Sequence, residues 1–113
     1  MRLQSSELDG NTRLIKLSGD LDIHGVNDVE LDFVRLCTGD NMCVVVDLSR
    51  VNYISSIGIP LLVNSAKSLA RHGGKMALLY PRRPVEDVLE LTGIPLIIPI
   101  YQDLNTAVSA IRK

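Results

Sequence analysis

Ser55 and Ser56 stand just ahead of Pro60, in the segment Asp47-Leu48-Ser49-Arg50-Val51-Asn52-Tyr53-Ile54-Ser55-Ser56-Ile57-Gly58-Ile59-Pro60. Proline is comfortable only in the first turn of a helix, where N–H groups lack an intrahelical acceptor, so the spacing predicts a helix that begins close to Ser55 or Ser56. A hydroxyl at that point lies beside unpaired N–H donors and the positive end of the helix dipole, which would stabilise an added phosphate. Serine is also among the commonest residues to cap a helix, and on local sequence alone plain capping is favoured over modification.

Other chemistries are poorly supplied. No Gly-x-Ser-x-Gly elbow surrounds the serines, and His24 and His72 fall near helix ends with no spacing that implies a Ser-His pair, so a catalytic role is disfavoured. Cys37 and Cys43 are the only cysteines, without C-x-x-C spacing or a nearby histidine, and read as two buried thiols rather than a metal or redox site. A nucleotide-binding or hydrolytic protein is a distant reading, because neither a Gly-x-x-x-x-Gly-Lys loop nor Gly-x-Gly-x-x-Gly is present; no cofactor is implied. Arg82 and Arg83, between Pro81 and Pro84, form a local basic pair; solvated loop charges are the favoured account over contact with an acidic patch on a partner.

The serines need a scaffold, and the flanking sequence supplies one. Met42 to Val46 is a continuous, largely β-branched apolar run closed by Asp47, the pattern of a central strand covered on both faces in a parallel sheet. Downstream of the serines, Ile59, Leu62, Val63, Ala66, Leu69 and Ala70 predict one face of a helix that stops at Arg71-His72-Gly73-Gly74. Upstream, Leu3 to Leu8 and Arg13 to Leu17 flank Asp9-Gly10-Asn11 as an antiparallel hairpin. After Gly19-Asp20-Leu21-Asp22, the spacing of Val26, Val29, Phe33, Leu36 and Cys37 predicts an amphipathic helix ending before Gly39.

The second half alternates in the same way. Met76 to Tyr80 is a buried strand, Pro84 opens a short helix with Val85, Val88 and Leu89 inward, and Gly93 is placed as its left-handed cap. Leu96 to Ile100 is strand-like, with Pro99 pointing to a sheet edge or a strand end, and Asp103 caps a last helix packed by Leu104, Ala107, Val108 and Ile111. The whole reads as one α/β domain over residues 1–113, with an opening hairpin, a mixed, mostly parallel sheet of four to five strands and about four helices.

With 113 residues, the chain is long enough for one core and too short for two. A formal net charge of −1, with acids and bases interspersed, makes direct nucleic-acid binding a poor expectation. No stretch approaches the roughly 20 apolar residues of a membrane span, and the first residues lack the apolar core of a signal peptide, so a cytoplasmic location is expected.

The segment around Ser56 resembles the signature of the STAS family: a strand ending in Asp-Leu-Ser, an apolar stretch, an aromatic residue, then Asp-Ser and a glycine opening a helix. Gly19-Asp20-Leu21-Asp22 is similar to the family's loop before its first helix, Gly73-Gly74-Lys75 to its turn before the next strand, and Leu91-Thr92-Gly93-Ile94 to its late Leu-Ser/Thr-Gly-Leu step. The resemblance is to the anti-sigma factor antagonists of the family and covers essentially the whole chain.

That resemblance implies a binding module, not an enzyme. Unphosphorylated, it would bind an anti-sigma factor that is also its serine kinase; phosphorylation would break the contact and a phosphatase would restore it. By position the phosphoacceptor corresponds to Ser56, with Ser55 as the alternative. The partner-binding residues correspond to Asp22, Asp47, Ser55, Ser56, Ile57 and Gly58, and dimerisation is left open. The sequence departs from the family where aspartate usually precedes the acceptor and here stands Ser55. Ser55 could cap the helix, accept the phosphate itself, or mark a non-phosphorylated binding subunit of a transporter-associated or stress-signalling complex.

Overall fold

The computed structural model describes residues 1–112. Strands β1 (Arg2–Asp9) and β2 (Thr12–Leu21) form the opening antiparallel hairpin, and helix α1 (Ile23–Leu36) leads to β3 (Cys43–Ile54). Helix α2 (Gly58–Arg71), β4 (Lys75–Leu79), α3 (Arg83–Leu91), a single 3-10 turn (Ile94–Leu96), the two-residue strand β5 (Ile100–Tyr101) and α4 (Leu104–Ile111) complete the chain. The sheet runs β1-β2-β3-β4-β5, parallel everywhere except the hairpin, with β3 at its centre.

Alternation along the inner strands divides the core in two. Ile15, Leu17, Val44, Val46 and Leu48 face one side, where α1, α2 and α3 bring Val26, Val29, Phe33, Leu62, Leu69, Val85 and Leu89. Leu14, Cys43, Val45, Ala77 and Leu79 face the other, which among the described residues only α4 covers, through Ala107 and Ile111. Cys37 and Cys43 are both buried, as the sequence predicts, and the structure places one in each core.

Several predicted boundaries move. The apolar run at Val44 to Val46 does not end the central strand at Asp47; β3 continues to Ile54, because Leu48, Val51 and Ile54 keep burying apolar side chains against the first three helices. Over this extension β3 twice carries one residue more than β2, between Asp47 and Arg50 and again between Val51 and Tyr53. The predicted strand at Leu96 to Ile100 is instead the 3-10 turn followed by the short edge strand, with Pro99 immediately before it. On α2 the buried face is turned from the predicted one: Leu61 and Ser65 are inside with Leu62, Ala66 and Leu69, while Ala70 is exposed. Asp103 and Gly93 occupy the predicted caps, Asp103 accepting the Thr106 N–H at 2.9 Å and Gly93 holding φ +77°.

Candidate functional site at the facing starts of two helices

The starts of α1 and α2 meet at the end of the long β2–β3 ribbon, where Leu21 pairs with Ile54. Asp22 caps α1: its carboxylate accepts the Gly25 N–H at 2.9 Å, and that hydrogen bond, aided by nearby His24, holds its pKa below the ordinary carboxylate range. Gly25 is obligatory there, since a β-carbon would collide with the carbonyl oxygen of Asp20.

The second helix start is held to the first through Leu21. Both the N–H and the hydroxyl of Ser55 donate to the Leu21 carbonyl oxygen, at 3.1 and 3.3 Å, and the Gly58 N–H donates to the Ser55 carbonyl at 3.0 Å. A β-carbon on Gly58 would lie 2.8 Å from the Leu21 oxygen and 2.9 Å from its Cγ, so only glycine allows α2 to seat this close. Ser55 is half-buried; Ser56 is exposed, and its hydroxyl has no hydrogen-bond partner among the described residues.

The capping role expected of one of these serines is not what forms. Ile57 is the N-cap of α2, in helical conformation (φ −77°, ψ −22°) and without a side-chain cap bond. Pro60 consequently sits at the third helical position rather than tight against a serine cap, and one of the orphan N–H groups of the first turn is absent by chemistry. Two serines adjacent in sequence thus have different environments, one spent on the fold and one presented to solvent.

From this junction an apolar groove of about 590 Å³ runs between α1 and α2. Ile23, Val34 and Ile57 line it and are 54, 45 and 42% exposed, with Glu30, Asn64 and Arg71 among its polar walls. Cys37 also lines it, and burial pushes its thiol up to about 12, which keeps it neutral. Sequence periodicity missed this groove, although Ile23 and Ile57 gave a signal: each is a large apolar residue at a helix start, outside the inward stripe of its own helix.

Asp47 does not join the cluster. It sits in mid-strand opposite Lys16 and Leu79, its carboxylate accepting the Ser49 N–H at 2.8 Å. Six residues of β3 stand between it and Ile54, a separation on the order of 20 Å along the strand. The structure therefore brings together Asp22, Ser55, Ser56, Ile57 and Gly58 and leaves Asp47 apart.

Arg82, expected as a solvated loop charge, is also engaged: Nε donates to the Ser49 carbonyl at 2.8 Å and Nη1 to Asn52 Oδ1 at 2.6 Å, fastening the start of α3 to the part of β3 that outruns β4. Arg83 pairs with Asp87 across one helical turn at 3.4 Å, both exposed. His24 and His72 are exposed at helix ends, and neither hydrogen-bonds a serine hydroxyl among the described residues. No helix is long and apolar enough to cross a membrane among the described residues.

The family model for the STAS domain matches residues 4–107. The chain belongs to the STAS domain family. Among similar STAS proteins, one of Thermotoga maritima named as a candidate anti-sigma factor antagonist is 38% identical over 66 residues, a stretch that is 58% of either chain. The candidate anti-sigma factor antagonist BtrV of Bordetella bronchiseptica is 27% identical over 99% of this chain and 96% of its own length. The anti-sigma F factor antagonist of Paenibacillus polymyxa is 26% identical over 88% of this chain and 86% of that one.

The crystal structure of the Thermotoga maritima anti-sigma factor antagonist candidate superposes with a TM-score of 0.83 at 28% identity, covering 95% of this chain and 92% of that one. The anti-sigma factor antagonist SpoIIAA, whose structure is solved in its unphosphorylated and its phosphorylated form, shares the fold. The unphosphorylated form superposes with a TM-score of 0.79 at 20% identity over 96% of this chain and 95% of that one.

Proposed function

We propose that this STAS protein is a cytoplasmic anti-sigma factor antagonist that docks on a serine-kinase anti-sigma factor through the α1–α2 groove and is released when Ser56 is phosphorylated. The observation that carries this reading is the division of labour between the serines. The Ser55 hydroxyl is held on the Leu21 carbonyl, whereas Ser56 stands exposed at the end of a groove containing Ile23 and Ile57. A kinase can reach Ser56 without disturbing the junction. The names of the relatives and the family match support the antagonist role.

The electrostatics support a switch. A phosphate adds roughly 1.5 to 2 negative charges. At Ser56 it would arise near Asp22, which the Gly25 N–H keeps ionised, and next to Ile57, an apolar contact that binding must desolvate. A partner shaped for the neutral junction would lose both the apolar contact and the charge balance. The bare start of α2 would stabilise the phosphate once the partner has left. A phosphatase would reverse the change. Asp47 takes no part in this exchange and serves the strand.

The test is binding of the wild type, Ser56→Asp and Ser55→Ala to the anti-sigma kinase of the same cells, measured by calorimetry. Ser56→Asp should weaken binding at least tenfold while Ser55→Ala leaves it within a few-fold. Undiminished binding by Ser56→Asp would contradict the proposal.

A further inference from the structure

The sheet's two faces are unequally covered. Three helices pack on one; on the other α4, eight residues long, covers only the rows around Leu14, Val45, Ala77 and Leu79. The strand register shows what the uncovered part carries. Gln4, Lys16 and Asp47 lie side by side across β1, β2 and β3, and the next row is Arg2, Ser18 and Arg50. Directly opposed residues share a face, and Lys16 shares its face with Leu14, so both rows lie on the side of α4; the first continues into Leu79, which α4 covers, while its part on β1 and β2 stays exposed.

All the polar residues of these rows but Arg2 line a concavity of about 220 Å³, together with Leu17 and Ser49. Arg2, Lys16 and Arg50 are exposed and make no hydrogen bond or ion pair among the described residues. The other arginines at the edges of this sheet are occupied: Arg13 with Glu7, Arg82 with Ser49 and Asn52, Arg112 with Asp9. The Asp47 carboxylate, which accepts the Ser49 N–H, lies beside Lys16, and Asp20 lies one row further on, opposite Tyr53, so the surface carries three cations against two carboxylates. In a chain of net charge −1, three free cations are gathered on one open sheet surface.

We infer that this open sheet face is a second docking surface, which takes an extended acidic segment of a partner protein. Arg2 and Arg50 stand two strand spacings apart, about 9.6 Å, and Lys16 lies about 6.6 Å along the strand from their row. That spread addresses several separate anions rather than one phosphate group. In an extended peptide, alternate side chains share a face about 6.6 Å apart, so an acid-x-acid pattern matches the spacing. A nucleic-acid backbone fits worse, because its continuous phosphates cannot skip the positions beside Asp20 and Asp47, as the neutral residues of an acid-x-acid segment can. The surface lies on the opposite side of the sheet from the α1–α2 groove, so both can be occupied at once.

The experiment is titration of the isotope-labelled chain with a dodecapeptide of alternating glutamate and serine, followed by amide chemical shifts, with an alternating lysine and serine peptide as control. The acidic peptide should move the amides of Gln4, Lys16, Ser18, Ser49 and Arg50. The charge-reversal variant Lys16→Glu/Arg50→Glu should weaken it at least tenfold, the milder Lys16→Gln/Arg50→Gln several-fold, and Ser56→Asp should leave it unchanged. Either variant must retain the wild-type amide spectrum away from these rows, as expected for exposed residues. Absence of binding, shifts confined to the α1–α2 groove, unaltered affinity in both variants, or tighter binding of a single-stranded RNA at the same amides would each overturn the inference.

Discussion

The two helix starts that meet at Leu21 and Ile54 are built on opposite principles. The first is closed: Asp22 caps α1 with its own carboxylate, in extended conformation, and Gly25 presses against the Asp20 carbonyl. The second is open: α2 begins at Ile57 in helical conformation, with no side-chain cap and an exposed serine just before it. Both are fixed in place by a glycine in close backbone contact, so the difference is not one of rigidity. A capped start is electrostatically finished, while an uncapped one retains donors that a new anion can use. In the proposed switch, the closed start supplies the fixed negative charge and the open start receives the variable one.

The comparison breaks most severely at the glycines. Gly25→Ala drives a β-carbon into the Asp20 carbonyl and should cost about 3 kcal/mol of folding stability in urea titration. Gly58→Ala, 2.8 Å from the Leu21 carbonyl, should cost about 2 kcal/mol and also push α2 away from Leu21. If both were neutral, the two helix starts would not be as tightly seated as the structure has them. Removal of the cap is the next largest effect: Asp22→Ala should lower the melting temperature by a few degrees, because the Gly25 N–H loses its acceptor.

The same carboxylate predicts a pH dependence. The pKa of Asp22 is lowered in the folded state, so its contribution is present above its ordinary value of 3.8 and is lost as pH falls through the lower folded value. Urea midpoints of wild type and Asp22→Asn should therefore converge as pH drops from about 4 toward 2, where protonation erases the difference. A gap that widens toward acid would reverse the assigned sign. The smallest effect belongs to the open start. Ile57→Ser should shift stability by less than about 0.5 kcal/mol, because a serine held in helical φ/ψ is not in the extended conformation of a working N-cap. A gain well above that would mean that the start of α2 lacks only a suitable side chain.

Much of this architecture is legible in the sequence because periodicity and punctuation agree. The alternation of apolar runs gives four helices around a mixed, mostly parallel sheet, and Asp103, Gly93 and Pro99 mark element boundaries through cap, left-handed turn and missing donor. What escaped notice is tertiary. Asp47 looks like a strand end because a polar residue interrupts a run of valines, but one interruption cannot stop a strand whose later residues Val51 and Ile54 still bury. Arg82 looks like a loop charge because its acceptors, Ser49 and Asn52, lie 30 or more residues away. At the candidate site, Asp22, Ser56 and Gly58 are recoverable from the resemblance to the STAS signature, position by position. The unequal fates of Ser55 and Ser56 are not, since they depend on where the Leu21 carbonyl sits.

Phosphopeptide mass spectrometry of the protein isolated from its native cells tests the central claim most directly, on the tryptic fragment that holds both serines and with fragmentation sufficient to separate them. The account predicts phosphate on Ser56, varying with growth or stress, and none on Ser55, whose hydroxyl is committed to Leu21. Phosphate on Ser55, or a fragment unmodified under every condition, would contradict it.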